Sequence, residues 1–189
     1  MDCSFYGKEE LSRLGLKSFG EKVLISKKVS LYSPQKISIG SYVRIDDFCI
    51  LSGEINIDSF VHIAAYCVLY GRNGIILEDY ISLSAKTIIY SASDDFSGEY
   101  LFGPTIPEEF TNVIGGKVLL KKYSMIGAGS IVFPNLIIGE GTAVGALSLV
   151  NKSLEPWGIY GGIPAKFIKN RSKSLLEKKV LLREKLKLK

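Results

Sequence analysis

The sequence predicts an all-β chain wound as a parallel β-helix of hexapeptide repeats, with a loop projecting near residues 91–117 and a short helix at each end. Three observations carry this. Large aliphatic residues recur every six positions over most of the chain. Small or turn-forming residues recur in fixed phase behind them. The one long break in the phase, between residues 91 and 117, is flanked by intact repeats.

The elements follow in order. Lys8–Leu14 reads as a short helix stopped by Gly15. The frame then steps through Ile39, Ile45, Leu51, Ile57, Ile63 and Leu69, slips by two at Gly71–Gly74, and resumes at Leu77, Leu83 and Ile89. After the break it continues through Leu120, Ile126, Val132, Ile138, Val144 and Val150. Four places after most of these stands a second inward candidate, mostly small: Val43, Cys49, Val61, Cys67, Thr87, Ser124, Ser130, Thr142 and Ser148. An amphipathic helix needs a period of 3.6 and a meander of hairpins a period of two. A period of six fits a short strand plus a corner, three of which close one triangular coil of about 18 residues, and such coils bury their aliphatics only by stacking. Ile45 is thereby expected under Ile63, Phe48 under Tyr66, and Cys49 beside Cys67 as small buried residues. Ser174–Glu177 has capping-box form and opens a helix running to the C-terminus, expected to cap the open end of the stack. The resulting organisation is a helix and lead-in at 1–36, the β-helix at 37–170 and a basic helical tail at 171–189.

Composition narrows the function. No apolar run approaches the ~20 residues of a membrane helix, and the N-terminus lacks a signal-like stretch, so a cytoplasmic protein is expected. Three cysteines, Cys3, Cys49 and Cys67, make no secreted disulfide framework. A single histidine, His62, argues against a histidine-built metal site within one chain, and no metal is expected. The net charge of +5 resides in the tail: residues 1–165 hold 14 Lys and Arg against 17 Asp and Glu, whereas residues 166–189 hold 10 against two. Such a tail suits nucleic acid, but no motif elsewhere supports that partner.

The repeat frame, its interruption and the closing run Ile159-Tyr160-Gly161-Gly162-Ile163-Pro164-Ala165-Lys166 resemble the hexapeptide-repeat acetyltransferases. Within them the chain is most similar to the maltose/galactoside O-acetyltransferase branch, and there to sugar acetyltransferases of O-antigen and capsule synthesis. These include enzymes acting on dTDP-linked 4-amino-4,6-dideoxy sugars. The resemblance implies left-handed winding and a homotrimer with sites between adjacent prisms. It also implies acetyl-CoA as acyl donor and a sugar or nucleotide-sugar acceptor, acetylated on an amino or hydroxyl group.

The candidate residues fall into three groups. His62 is placed on an outer corner by the frame and suits a general base. The family's usual histidine would stand in the run Met125-Ile126-Gly127-Ala128-Gly129, where this chain has Gly129. Either His62 takes over from an adjacent coil, or a carboxylate acts, or the acceptor is an amine that needs little help. The long loop supplies Asp94 and Asp95 as catalytic candidates, with Tyr90, Glu108 and Glu109 for the sugar. Gly127, Ala128, Gly129, Gly145 and Ala146 lie 18 residues apart on one edge, where small residues admit the pantetheine arm and a backbone N–H can stabilise an oxyanion. Pro164, Lys166, Lys169 and Arg171 follow the last coil, and the family's contact with the CoA nucleotide implies that role here. Two rival readings remain open: a non-catalytic scaffold, and a γ-carbonic-anhydrase-like metalloenzyme, which would need three histidines.

Overall fold

In the computed structural model residues 4–187 are described, so Cys3 lies outside them. The chain is a parallel β-solenoid with two short helices, α1 (Lys8–Ser12) and α2 (Leu175–Lys185). Every aliphatic of the six-residue frame is buried, as are the nine second-place residues. Each aliphatic so placed contributes about 1.5–3 kcal/mol. They form three inward columns, one per face of a triangular prism. Ile39, Ile57, Leu77, Leu120 and Ile138 pair upward on the first face. Ile45, Ile63, Leu83, Ile126, Val144 and Tyr160 do so on the second. Leu51, Leu69, Ile89, Val132 and Val150 form the third. The second face is an eight-stranded sheet; the first and third merge into a ten-stranded one because the strands Ile50–Ile57 and Val68–Leu77 run through the corner between them.

The prism starts earlier than residue 37. Phe19, Ile25 and Leu31 pair in parallel with Ile39, Ile45 and Leu51, so the lead-in contains the first coil. A short 3-10 turn at Pro34–Lys36 widens the step from Leu31 to Ile39 to eight residues and hides the phase. The slip after Leu69 and the long loop after Ile89 fall at this same third corner.

The first corner carries a column of aromatic side chains in the left-handed backbone region: Tyr42, Phe60, Tyr80, Tyr123 and Trp157. Ring centroids stack at 4.7, 4.7, 5.3 and 6.4 Å. Lys22 and Lys173 lie over the terminal rings. The wide last step has a cause: Gly141 occupies the corner between Tyr123 and Trp157, and a Cβ there would strike the Trp157 ring.

The tail departs from expectation. α2 makes no side-chain N-cap bond at Ser174 and does not close the end of the stack. With Leu175 and Leu182 it flanks a cleft of about 440 Å³ against Tyr80, Tyr123 and Met125, on the side of the prism. Its lead-in is pinned by Arg171, whose Nη1 donates to the carbonyls of Tyr123 and Gly141 at 2.8 and 2.9 Å.

Candidate active site

The projecting loop leaves and re-enters at one point. The Gly116 amide donates to the Ser91 carbonyl at 2.9 Å, and the coil resumes as if uninterrupted, Ile89 pairing directly with Val132. At the root, Ala92–Asp94 pairs antiparallel with Val113–Gly115. Gly115 is required there, since a Cβ would meet the Ser91 carbonyl. Between loop and prism runs a groove of about 580 Å³ lined by Tyr70, Arg72, Tyr90, Asp94, Glu108 and neighbouring backbone. A second hollow of about 480 Å³ lies among Asp94, Phe96, Tyr100, Leu101 and Phe102, so Asp94 stands on the wall between the two.

The loop candidates separate sharply. The Asp94 carboxylate receives one long bond, from the Gly103 amide at 3.5 Å, and is otherwise unbonded among the described residues. Asp95, by contrast, is spent on the loop itself. One oxygen accepts from the Ser97 amide at 2.6 Å and the other from Asn112 Nδ2 at 2.7 Å, and hydrogen bonding from the Ser97 side chain, then from its amide and Asn112, holds the carboxyl below the usual range. Both of its oxygens thus tie the loop to itself. Tyr90 lines the groove and stacks on Tyr70 at 5.4 Å. Glu108 also lines it and pairs with Arg72 at 3.0 Å. Glu109 is exposed and, within one chain, does not line the groove.

His62 is not on a corner. It opens the short strand His62–Ile63 on the second face, half exposed, stacked between Arg44 and Ser82. Its Nε2 lies 2.8 Å from Asp46 Oδ2, and Arg44 Nε donates to Asp46 Oδ1 at 2.7 Å. Burial pulls the Asp46 carboxyl up, but bonds from His62 and Arg44 outweigh it and leave it below the ordinary range. His62 shares a shallow cleft with Tyr42, Arg44, Asp46 and Phe60, and within one chain it does not line the Asp94 groove.

The small-residue edge forms as the spacing predicts. After the second-face column come Asp46, Ala64, Ser84, Gly127 and Gly145, one above another. A Cβ on Gly127 would collide with the backbone of Ala146, so the coils approach as closely as glycine allows. The N–H groups of Ala128 and Ala146 have no acceptor among the described residues. Gly129 stands at a left-handed corner where neighbouring coils carry Phe48, Tyr66, Lys86 and Leu147. Lys166 and Lys169 are exposed on the last strand, Lys166–Asn170, and Pro164 lines a small hollow with Lys166. Arg171 does not join them: its guanidinium is committed to prism carbonyls, and burial draws its pKa below the ordinary value.

Ser84 belongs to this edge as well. Its carbonyl accepts from Thr87 Oγ1 at 2.7 Å and Cys67 Sγ at 3.2 Å, while its own hydroxyl has no partner among the described residues. The corner column runs Ser26, Asp46, Ala64, Ser84, Gly127 and Gly145, and of its two hydroxyls that of Ser26 is donated to Asp47 Oδ1 whereas that of Ser84 is free among the described residues. Ser84 and Asp94 stand at opposite edges of the third face, separated by the strand Ile88–Tyr90.

No helix among the described residues is long and apolar enough to cross a membrane, and none of their His, Cys, Asp and Glu side chains gather in threes as a metal site. No protein-family model matches the chain. It is 46% identical over 171 residues, 89% of each chain, to a dTDP-4-amino-4,6-dideoxy-D-glucose acyltransferase of Escherichia coli. It superposes with a TM-score of 0.95 on AntD, an N-acyltransferase from Bacillus cereus, at 53% identity over 98% of this chain and 100% of that one. AntD has been crystallised with dTDP-4-amino-4,6-dideoxyglucose and coenzyme A, and with dTDP and 3-hydroxybutyryl-CoA; its crystallised forms include the variants S84C and D94N. A maltose O-acetyltransferase from Clostridium difficile shares the fold at 20% identity, with a TM-score of 0.60 over 88% of this chain and 75% of that one. Prism, free carboxylate and small-residue edge thus stand in a chain that belongs to the hexapeptide-repeat acyltransferases, in the branch of the dTDP-4-amino-4,6-dideoxyglucose acyltransferases.

Proposed function

We propose that the protein transfers an acyl group from acyl-CoA to the 4-amino group of a dTDP-linked 4-amino-4,6-dideoxyglucose. The observation that carries the reading is Asp94: a nearly unbonded carboxylate on the wall of the loop groove, in a chain alike in residue type and number at positions 84 and 94 to the enzyme crystallised with that sugar. The neutral amine attacks the thioester carbon, the C–S bond breaks, and the thiolate leaves as CoA thiol, carrying the proton the nitrogen gives up. Asp94 accepts a hydrogen bond from the amine, aims its lone pair, and with its own negative charge stabilises the positive charge that grows on nitrogen as the C–N bond forms. The Ser84 hydroxyl is free to donate to the developing oxyanion. The unbonded amides of Ala128 and Ala146 suit the carbonyls of the pantetheine arm, and Lys166 and Lys169 its phosphates.

The working form in this proposal is a homotrimer. Outward on the third face run Ile50, Val68, Ile88, Ile131 and Leu149, an aliphatic ribbon along the prism, only half buried. A second copy covering it would bring the Ser84 edge of one chain toward the Asp94 loop of another. Both substrates are cytoplasmic metabolites, which supports a cytoplasmic enzyme of surface-polysaccharide synthesis. The test is thiol release from acetyl-CoA and 3-hydroxybutyryl-CoA with the dTDP-amino sugar, against a galactoside control. Release with the amino sugar and not the galactoside is expected; release with neither sinks the reading.

A further inference from the structure

The groove beside Asp94 has one cation among its lining residues, and its position is prepared by the fold. The step from Leu69 to Leu77 is eight residues instead of six, and the added residues form the third corner around Arg72. Gly53, in the coil beneath, holds φ +90°, and a Cβ on it would lie 2.6 Å from the Gly71 carbonyl oxygen. Glycine at both places lets the corner close tightly. Next to Arg72, the Asn73 amide donates to Ser91 Oγ at 2.8 Å, tying the corner to the root of the projecting loop. Arg72 therefore stands on fixed backbone directly under that loop.

Its guanidinium is occupied, but weakly. Arg72 Nη2 lies 3.0 Å from Glu108 Oε1, and the two side chains are 57% and 87% exposed. A pair this wet shifts an equilibrium by less than about five-fold. The rest of the groove's charge is Asp94 and Glu108, both carboxylates. The acceptor proposed above brings its amine to Asp94 and carries a diphosphate beyond the sugar. Two carboxylates repel that diphosphate, and Arg72 is the group in the groove able to offset them. A guanidinium fork matches phosphate oxygens two at a time.

We infer that Arg72 binds the diphosphate of the acceptor, and that Glu108 is an internal occupant of the Arg72 site which the diphosphate displaces. Glu108 thus weakens acceptor binding, contrary to its expected role as a sugar ligand. The inference rests on the acceptor reading above.

Calorimetric titration of the full-length protein with dTDP tests it, in the wild type and in Arg72→Gln, Arg72→Lys, Glu108→Gln and the Gln/Gln double variant. Arg72→Gln is expected to weaken dTDP binding about 10- to 100-fold, with Arg72→Lys in between. Glu108→Gln is expected to tighten it about two- to five-fold. In the double variant the gain from Glu108→Gln disappears, because its site is gone. In transfer assays Arg72→Gln raises the acceptor KM by more than it lowers kcat. A wild type that binds dTDP, with Arg72→Gln binding it equally well, overturns the assignment of Arg72 alone. Weaker dTDP binding by Glu108→Gln overturns the displacement. A wild type that acylates other amines but binds no dTDP overturns the acceptor reading and this inference with it.

Discussion

Asp94 and Asp95 are adjacent in sequence and opposite in use, and the difference is entirely in what each carboxylate touches. Asp95 spends both oxygens holding the loop; Asp94 spends almost nothing. Asp94→Asn is therefore expected to lower kcat by about 10²-fold or more in a thiol-release assay. Asp95→Asn should act through loop order, raising both substrates' KM. His62→Ala should leave kcat within about three-fold of wild type, since within one chain His62 does not line the Asp94 groove; a 10²-fold loss would put the imidazole in the proton path across a subunit boundary. The same group sets a pH dependence. The Asp46 carboxyl is depressed in the folded chain, so its contribution to stability is complete above the unfolded value near 4 and is lost as pH falls through the folded one. Below about pH 4 the thermal midpoint of the wild type should fall faster than that of Asp46→Asn. Asp94 could be named from the sequence because the loop was evident; its separation from Asp95 could not, since it depends on Ser97 and Asn112 folding back across the loop.

At the scale of elements, corners explain more than strands. The six-residue frame marked the inward aliphatics because each is fixed by burial, and all fifteen are buried. It missed the first coil, where Phe19, Ile25 and Leu31 are also six apart, because two extra residues break the phase before Ile39. It does not place α2, because the lead-in to the helix is held by Arg171 on the carbonyls of Tyr123 and Gly141 and by Lys173 over the Trp157 ring, contacts with no sequence period. The aromatic column there gives a stability prediction. Gly141→Ala puts a methyl into the Trp157 ring and should cost about 1–3 kcal/mol in urea unfolding, with kcat unchanged in the folded fraction.

For the molecule as a whole, the proposed assembly rests on the half-buried ribbon of Ile50, Val68, Ile88, Ile131 and Leu149. These residues alternate with the inward column, so one strand presents apolar side chains to both faces, the mark of a strand covered on each side. Ile88→Asp is expected to yield monomers by analytical ultracentrifugation and to abolish transfer, while circular dichroism still reports β structure. Active monomers would remove the shared site. The sequence pattern contained this ribbon, but aliphatic neighbours of buried positions read as strand propensity until the prism assigns them an outside.

The loop that starts after Tyr90 and ends before Lys117 costs the core nothing, because the coil closes beneath it through one backbone bond. In the proposed function the loop's share of acceptor recognition is thus a cassette inserted at one corner of the prism, facing Tyr70, Arg72 and Tyr90 on the scaffold. Exchanging residues 92–115 between members of this branch, or diversifying them in a library, should retune which amino sugar is accepted while the donor edge on the opposite side of the same face stays as it is. A lineage could acquire new surface sugars by rewriting one insertion.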